Sequence, residues 1–327
     1  MGRQNRYYRG PPAENFDGTR FFLDGHQGTS ARDYFKWNLT GSPKPWPRRI
    51  RNRSYAPPPV RVAGGIMSCT WIGHSTLLIQ TQGLNILTDP FFSNRASPSQ
   101  LIGPKRVRPP GLTLEALPPI DLVLVSHNHY DHLDLPSLQS INRRWACRIV
   151  TPLGNAAILT AGMADARIEE LDWWQATDAG DVEIIVTPAF HWSKRTLFDA
   201  NHALWGAFAL KTRAGLIYFA GDTGFGDGRT FREIRERLGA PRLSFLPIGA
   251  YEPRWFMKHV HVNPEEAVLA HQLLGSTTSI AIHHSTIRLT DEGFDDPVNA
   301  HCEAIRKHHV APDAFRIVDV GETLTIP

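Results

Sequence analysis

The chain has 327 residues, 35 basic and 32 acidic side chains, a hydrophobic fraction of 42% and a charged fraction of 20%, figures that exclude a disordered or fibrous protein. Three scattered cysteines (Cys69, Cys147, Cys302) exclude a disulfide framework and point to a reducing compartment, the cytoplasm. No run of about 18 apolar residues is present to span a membrane, and the first ten residues lack the apolar core of a signal peptide. Gly2 fails as a myristoylation site, because Arg6 stands where that signal takes Ser or Thr. Histidine is the count that stands out, at 15.

The chain opens on a basic arm. Residues 1–61 hold 12 Lys and Arg against 4 Asp and Glu, and the remainder 23 against 28, so the total of +3 divides into +8 and −5. Eight prolines in that stretch, among them Pro57-Pro58-Pro59, argue against long regular elements. Ten aromatics, including Tyr7, Tyr8, Phe21, Phe22, Trp37 and Trp46, argue against a disordered tail. Residues 1–65 are therefore expected to pack their rings on the body and leave their charges in water. Arg48, Arg49, Arg51 and Arg53 read either as a solvated stretch or as a surface that attracts anionic lipid or substrate.

From residue 66 short apolar runs alternate with Gly, Pro, Asn and Asp punctuation and with helical patterns. In chain order the pattern predicts strands over 67–72, 76–80, 85–88 and 122–125, a helix over 135–144, a strand over 148–150 and a helix over 155–161. Strands over 183–187, 204–211 and 216–220 follow, then a helix over 228–238 and a strand over 243–246. The chain closes with a helix over 264–274, a strand over 279–282, a helix over 297–309 and a strand over 315–318. Asp134 ahead of Pro136, and Asn263 ahead of Pro264-Glu265-Glu266, are the marked helix starts. Strands early and late with helices between them predict layered sheets flanked by helices, with residues 66–327 as one domain.

The chemistry concentrates in Ser126-His127-Asn128-His129-Tyr130-Asp131-His132, a turn between a predicted strand and the Asp134 helix start. In extended chain His127 and His129 point to one side and can reach one metal. Asp131 and His132 can serve a second, and imidazole and carboxylate are ligands that Zn²⁺ accepts. The specified pattern H-x-H-x-D-H arises by chance only about 0.002 times in a chain of this composition, which favours a metal site over a polar surface turn. Further ligands must come from elsewhere, and His191, Asp222 and His283 each follow a predicted strand. Gly221 and Gly224 around Asp222 permit a tight turn there.

This order resembles the metallo-β-lactamase superfamily, whose pattern is an early Asp, then H-x-H-x-D-H, then His, Asp and His. Here those are Asp89, the cluster 127–132, His191, Asp222 and His283. Longer blocks resemble the N-acylphosphatidylethanolamine-hydrolysing phospholipase D group: Thr70-Trp71-Ile72-Gly73-His74, Arg95-Ala96-Ser97-Pro98-Ser99-Gln100, Leu171-Asp172-Trp173-Trp174, His191-Trp192-Ser193-Lys194-Arg195 and 247–258. The resemblance implies an αββα four-layer sandwich with an N-terminal extension and a site for two Zn²⁺ ions. It implies His127, His129 and His191 around one ion, Asp131, His132 and His283 around the other, Asp222 between them, and Asp89 orienting a ligand. The absence of a cysteine ligand fits hydrolases, and His129 in place of glutamate argues against a di-iron redox site.

The expected reaction is attack on phosphorus by a hydroxide shared between the ions. It would release an N-acylethanolamine and phosphatidic acid, with Asp131 or water returning the proton to the leaving alcohol. The resemblance also nominates His261 for catalysis and Gln100 for substrate, beside Tyr130 inside the metal motif, although packing is an equal role for Tyr130. Lys194 and Arg195 are candidates to meet a phosphate. His284 and Leu135 depart from the related lipases and leave acyl-chain preference open. His74, His202, His271, His301, His308 and His309 are expected to be structural or surface residues. Other esters (a cyclic nucleotide, a lactone) and a metal-binding protein without turnover remain alternatives. Nucleic acid is not expected as a partner, because residues 66–327 carry no basic RNA-gripping insertion. The resemblance implies a homodimer, and the basic, ring-rich arm suggests peripheral membrane contact.

Overall fold

The computed structural model describes residues 4–26, 28 and 30–326, so Gly2 lies outside the described residues. Two seven-stranded sheets face each other. The first takes β1 (Met67–Gly73), β2 (Thr76–Thr81), β3 (Leu84–Thr88), β4 (Leu122–Leu124), β5 (Arg148–Pro152), β6 (Arg167–Leu171) and, at its other edge, β14 (Thr323–Ile326). The second takes β7 (Ala176–Ala179), β8 (Val182–Thr187), β9 (Ala207–Thr212), β10 (Gly215–Phe219), β11 (Leu243–Pro247), β12 (Thr278–Ile282) and β13 (Phe315–Arg316). Both sheets repeat one scheme, with three antiparallel contacts followed by three parallel ones: β14-β1-β2-β3 then β4-β5-β6, and β7-β8-β9-β10 then β11-β12-β13.

The period-2 alternation of the strands builds the layers. Met67, Cys69 and Trp71 of β1, Leu77 and Ile79 of β2 and Leu122 and Leu124 of β4 point between the sheets, where they meet Phe208, Ile217, Phe245 and Ile280. Leu78, Leu87, Val123 and Val125 point the other way, under α2 (Leu135–Trp145) and α3 (Ala156–Gly162). On the outer face of the second sheet, Tyr218, Leu246 and Ala281 lie under α4 (Arg229–Leu238), α6 (Pro264–Leu274) and α7 (Asp296–Lys307). The fold is the expected αββα sandwich. Two helices were not anticipated: α1 (Ala31–Thr40) and the short α5 (Arg254–Met257).

Rings of the arm pack on the body. Phe16 and Phe21 are buried with Leu204 and Trp205 of the body. Trp37 stacks on Phe256 at 5.3 Å, and its indole N–H donates to Asp291. Arg48, Arg49, Arg51 and Arg53 are exposed. Within the arm the ten-residue α1 forms in the proline-free stretch between Pro12 and Pro43, where Ser30 and Asp33 close a reciprocal cap. Asn263 and Glu266 form the corresponding box on α6. Asp134 occupies the N-cap position of α2 without capping it, since its carboxylate accepts instead from Ser93 and from the Ser137 hydroxyl.

Candidate metal centre

Six turns converge at one edge of the sandwich. β1, β3, β8 and β10–β12 all run toward that edge, and their ends deliver His74, Asp89, the 126–132 segment after β4, His191, Asp222 and His283. Gly221, at φ 57°, lets the Asp222 turn of the second sheet close on Ser126 of the first. A Cβ there would sit 2.9 Å from the Ser126 Cβ. His74, Asp89 and His283 also hold positive φ (57°, 34° and 59°), a conformation that side chains adopt only when their surroundings over-determine it.

The side chains form two sets. In one, His129 Nδ1 lies 2.9 Å from His127 Nε2 and 3.2 Å from His191 Nε2. In the other, His132 Nε2 and His283 Nε2 lie 3.4 Å and 3.6 Å from Asp131 Oδ2. Asp222 faces both: its Oδ2 is 3.1 Å from His132 Nε2, 3.8 Å from His191 Nε2 and 3.9 Å from His127 Nε2, and its Oδ1 is 3.2 Å from His283 Nε2. His261 joins the rim, with Nε2 3.9 Å from Asp222 Oδ2.

The outer nitrogens of these rings are held in place. The Nδ1–H of His132 donates to Asp89 Oδ2 at 2.7 Å, while Asp89 also accepts from the Ser126 N–H and hydroxyl. His191 Nδ1–H donates to the Val260 carbonyl at 2.9 Å. Both bonds turn Nε2 inward. Inside the cluster, His132 Nε2, His283 Nε2 and Asp222 Oδ1 are buried without a hydrogen-bond partner among the described residues. Orphaned acceptors packed this closely fit a cation that takes nitrogen and oxygen ligands.

Electrostatics follow from the same packing. Burial pushes the pKa of His129, His191 and His261 down to about 3, and that of His127 well below the ordinary value with help from His132, His129 and His191. Those rings are neutral and available as ligands. Burial also acts against the charged form of His132, but Asp222, Asp131 and Asp89 outweigh it and raise the pKa. His283 is pushed up to about 9, because Asp222 and Asp131 more than offset its burial. Burial works against the ionised Asp222, yet His132, His283 and His261 hold its pKa well below the carboxylate range.

The seven residues expected as ligands thus come together, with Asp89 behind them. His74, expected to be structural or at the surface, lies against the cluster. It is buried, its Nε2 lies 2.8 Å from Asp131 Oδ2, and its ring packs against that of His283, tilted by 39° with 4.0 Å between centroids. The signal was Gly73-His74 at a strand end on the ligand-bearing edge, the same placement that singled out His191 and His283.

The substrate candidates fare differently. Tyr130 packs against Phe91, Ala96 and Ile287, and its hydroxyl donates to the Arg195 carbonyl. Gln100 is exposed, and its amide is engaged with the Arg95 backbone inside its own loop. Arg195 donates to the Asn128 and Leu133 carbonyls, so its guanidinium braces the metal-motif turn. Lys194 lies half-buried with its ammonium 5.9 Å from the Trp192 ring. His284 is buried with its ring 4.7 Å from Trp71, and Leu135 packs against the α2 side of the first sheet.

Comparisons with known proteins agree with this geometry. Residues 84–284 match the β-lactamase superfamily domain. The chain is similar to N-acyl-phosphatidylethanolamine-hydrolyzing phospholipase D 1 of Caenorhabditis elegans, 40% identical over 266 residues that cover 77% of this chain and 74% of the worm protein. It is also similar to the mitochondrial N-acyl-phosphatidylethanolamine-hydrolyzing phospholipase D of Saccharomyces cerevisiae, 37% identical over 70% of this chain and about half (49%) of the yeast protein. Among solved structures, Igni18, a metallo hydrolase from Ignicoccus hospitalis, superposes with a TM-score of 0.60 at 23% identity, covering 80% of this chain and 99% of that one. Family match, sandwich and clustered ligands agree: the chain belongs to the metallo-β-lactamase superfamily, among its metal-dependent hydrolases.

Proposed function

We propose that this chain is a zinc-dependent phosphodiesterase of phospholipase D type, hydrolysing N-acylphosphatidylethanolamine-like lipids to an N-acylethanolamine and phosphatidic acid. The observation that carries the reading is the pair of ligand sets joined by Asp222, within a chain 40% identical to a worm enzyme of that name. His127, His129 and His191 would hold one Zn²⁺, Asp131, His132 and His283 the other, and Asp222 both. Such ions supply Lewis-acid polarisation of a phosphoryl oxygen and a water acidic enough to attack at neutral pH.

The chain's own residues then divide the remaining tasks. Asp89 and the Val260 carbonyl fix which nitrogen of His132 and His191 faces inward. His74 holds Asp131 at Oδ2, which suits Asp131 to ligation better than to proton delivery. His261, whose Nε2 lies 3.9 Å from Asp222 Oδ2 at the rim, would hand a proton to the leaving alcohol. The substitutions His127→Ala and Asp222→Ala should each lower hydrolysis by at least about 10³-fold and reduce bound metal. Full activity with intact metal loading in either variant would sink the scheme.

Substrate class is tested by offering the zinc-loaded protein N-acylphosphatidylethanolamine, bis(p-nitrophenyl) phosphate and a lactone. The reading expects turnover of the first two. Turnover of the lactone alone rejects it in favour of another ester, and inertness toward all three favours a binding role. The buried Cys69 and Cys147 and the exposed Cys302 are free thiols, which supports a reducing compartment, with the cytoplasm as the proposed location.

A further inference from the structure

His129 and Tyr130 are the half-buried members of an otherwise buried turn, so they mark where the metal centre opens to solvent. Three chain segments surround that opening. The 95–105 loop reaches it through Ala96, which packs on Tyr130. The 194–199 turn reaches it through Arg195, whose carbonyl accepts from the Tyr130 hydroxyl and whose guanidinium lies 4.0 Å from that ring. The α1–α5 pair reaches it through Phe256 and Met257, which pack with Trp37 and Trp192, and Trp192 sits 4.9 Å from the His129 ring.

Each segment turns apolar side chains outward. Leu101 and Ile102 at the loop tip are 86% and 70% exposed, and Leu197 and Phe198 are 80% and 69% exposed. On α1, Phe35 and Leu39 are 66% and 86% exposed, four residues apart on one helical face. Scattered exposed apolar residues need no explanation, but three such groups around one opening do. The exposed charges on these segments are cationic: Arg32, Lys36, Lys105 and Lys258, while the carboxylates among residues 31–40, 95–105, 192–199 and 254–258 are the half-buried Asp33 and the buried Asp199. Apolar tips backed by lysine and arginine match a bilayer with anionic headgroups.

We infer that these three segments form a lipid-docking surface that seats the mouth of the metal centre on a membrane. Leu101-Ile102, Leu197-Phe198 and the Phe35/Leu39 face of α1 enter the headgroup–acyl boundary. The inference rests on the proposed lipid substrate and moves the contact away from the exposed arginine run at 48–53. That run belongs to a different seam, where Arg51, Asn52 and Arg53 line a cavity with Arg108 and Asp319.

The test is sedimentation of the full chain with vesicles of phosphatidylcholine, with and without phosphatidylglycerol, containing no substrate. The pairs Leu101→Ser/Ile102→Ser, Leu197→Ser/Phe198→Ser and Phe35→Ser/Leu39→Ser should each weaken partitioning about tenfold or more. Hydrolysis of soluble bis(p-nitrophenyl) phosphate should stay within about twofold of the unmodified chain, which separates docking from misfolding. Wild-type partitioning in all three pairs overturns the inference, as does loss of binding only when Arg48, Arg49, Arg51 and Arg53 become Gln. A change of oligomeric state without a change in vesicle binding also overturns it, by assigning the surface to a second copy of the chain. Vesicle binding without hydrolysis of N-acylphosphatidylethanolamine would reject the substrate and leave the surface standing.

Discussion

His74 and Asp89 brace Asp131 and His132, the adjacent proposed ligands, from two different turns. Groups behind a ligand typically change metal affinity by about 10–100-fold when removed. Asp89→Ala should therefore weaken metal retention by that factor, read by titration with a chelator. His74→Ala should act selectively on the set containing Asp131, so that one ion is released well before the other. His74→Asn tolerates the left-handed backbone but is too short to reach Asp131, whereas His74→Gln keeps a donor of similar reach. Recovery in the Gln variant alone assigns the effect to the hydrogen bond, and equal release of both ions in every variant contradicts it.

His301 shows what a buried histidine outside the centre does. It is buried beneath Phe315, and both ring nitrogens lack a partner among the described residues. Burial, with His271 adding to it, pushes its pKa down to about 4, while in the unfolded chain it titrates near 6.5. Between those values the unfolded state binds a proton that the folded state refuses, so stability falls as pH falls through that window. The expected loss from this residue between pH 7 and pH 5 is about 2 kcal/mol. His301→Phe should remove it, and urea midpoints at the two pH values measure the difference. An unchanged pH dependence in that variant would show that the ring titrates normally.

At the scale of elements, the turns decide where ligands land, and Gly249 is the tightest point among them. A Cβ there would lie 2.1 Å from the His283 carbonyl oxygen, which is backbone and cannot rotate away. Gly249→Ala should displace His283 and lower metal content while leaving far-ultraviolet circular dichroism unchanged, and normal metal binding would refute the packing argument. Asn263→Ala, which opens the α6 cap, should instead cost about 1 kcal/mol of stability with metal retained.

Legibility follows the same division. The apolar runs of β1–β5 and β8–β12 announce themselves because both of their faces are covered. β6 (Arg167–Leu171) and β7 (Ala176–Ala179) are edge strands of polar, partly exposed residues, specified by their neighbours and not by their own pattern. α1 was hidden behind flanking prolines, although Ser30-x-x-Asp33 is a cap that can be read from sequence. The ligands were legible because they share a strand-end placement. Gln100 was not, since a local bond to the Arg95 backbone decides where its amide points.

At the scale of the molecule, the arm contributes to the core as well as to the surface. Phe16 and Phe21 cover Leu204 and Trp205, Trp37 covers Phe256, and Tyr7 donates to Asp199. Deleting residues 1–60 should therefore lower the thermal midpoint by several degrees and weaken soluble-diester hydrolysis and vesicle binding together, by uncovering these rings. A truncated chain that melts like the full one, with only vesicle binding reduced, would assign the arm to docking alone.

The repeated strand scheme of the two sheets has a consequence for how the centre keeps its shape. Asp89 and Asp222 follow β3 and β10, the fourth strands of the two matching series, so they are the same position met twice. Asp89 braces His132 from outside the cluster, and Asp222 faces both sets directly. Each sheet thus hands one carboxylate to the shared edge, so the cluster holds its shape only while the two sheets keep their mutual register.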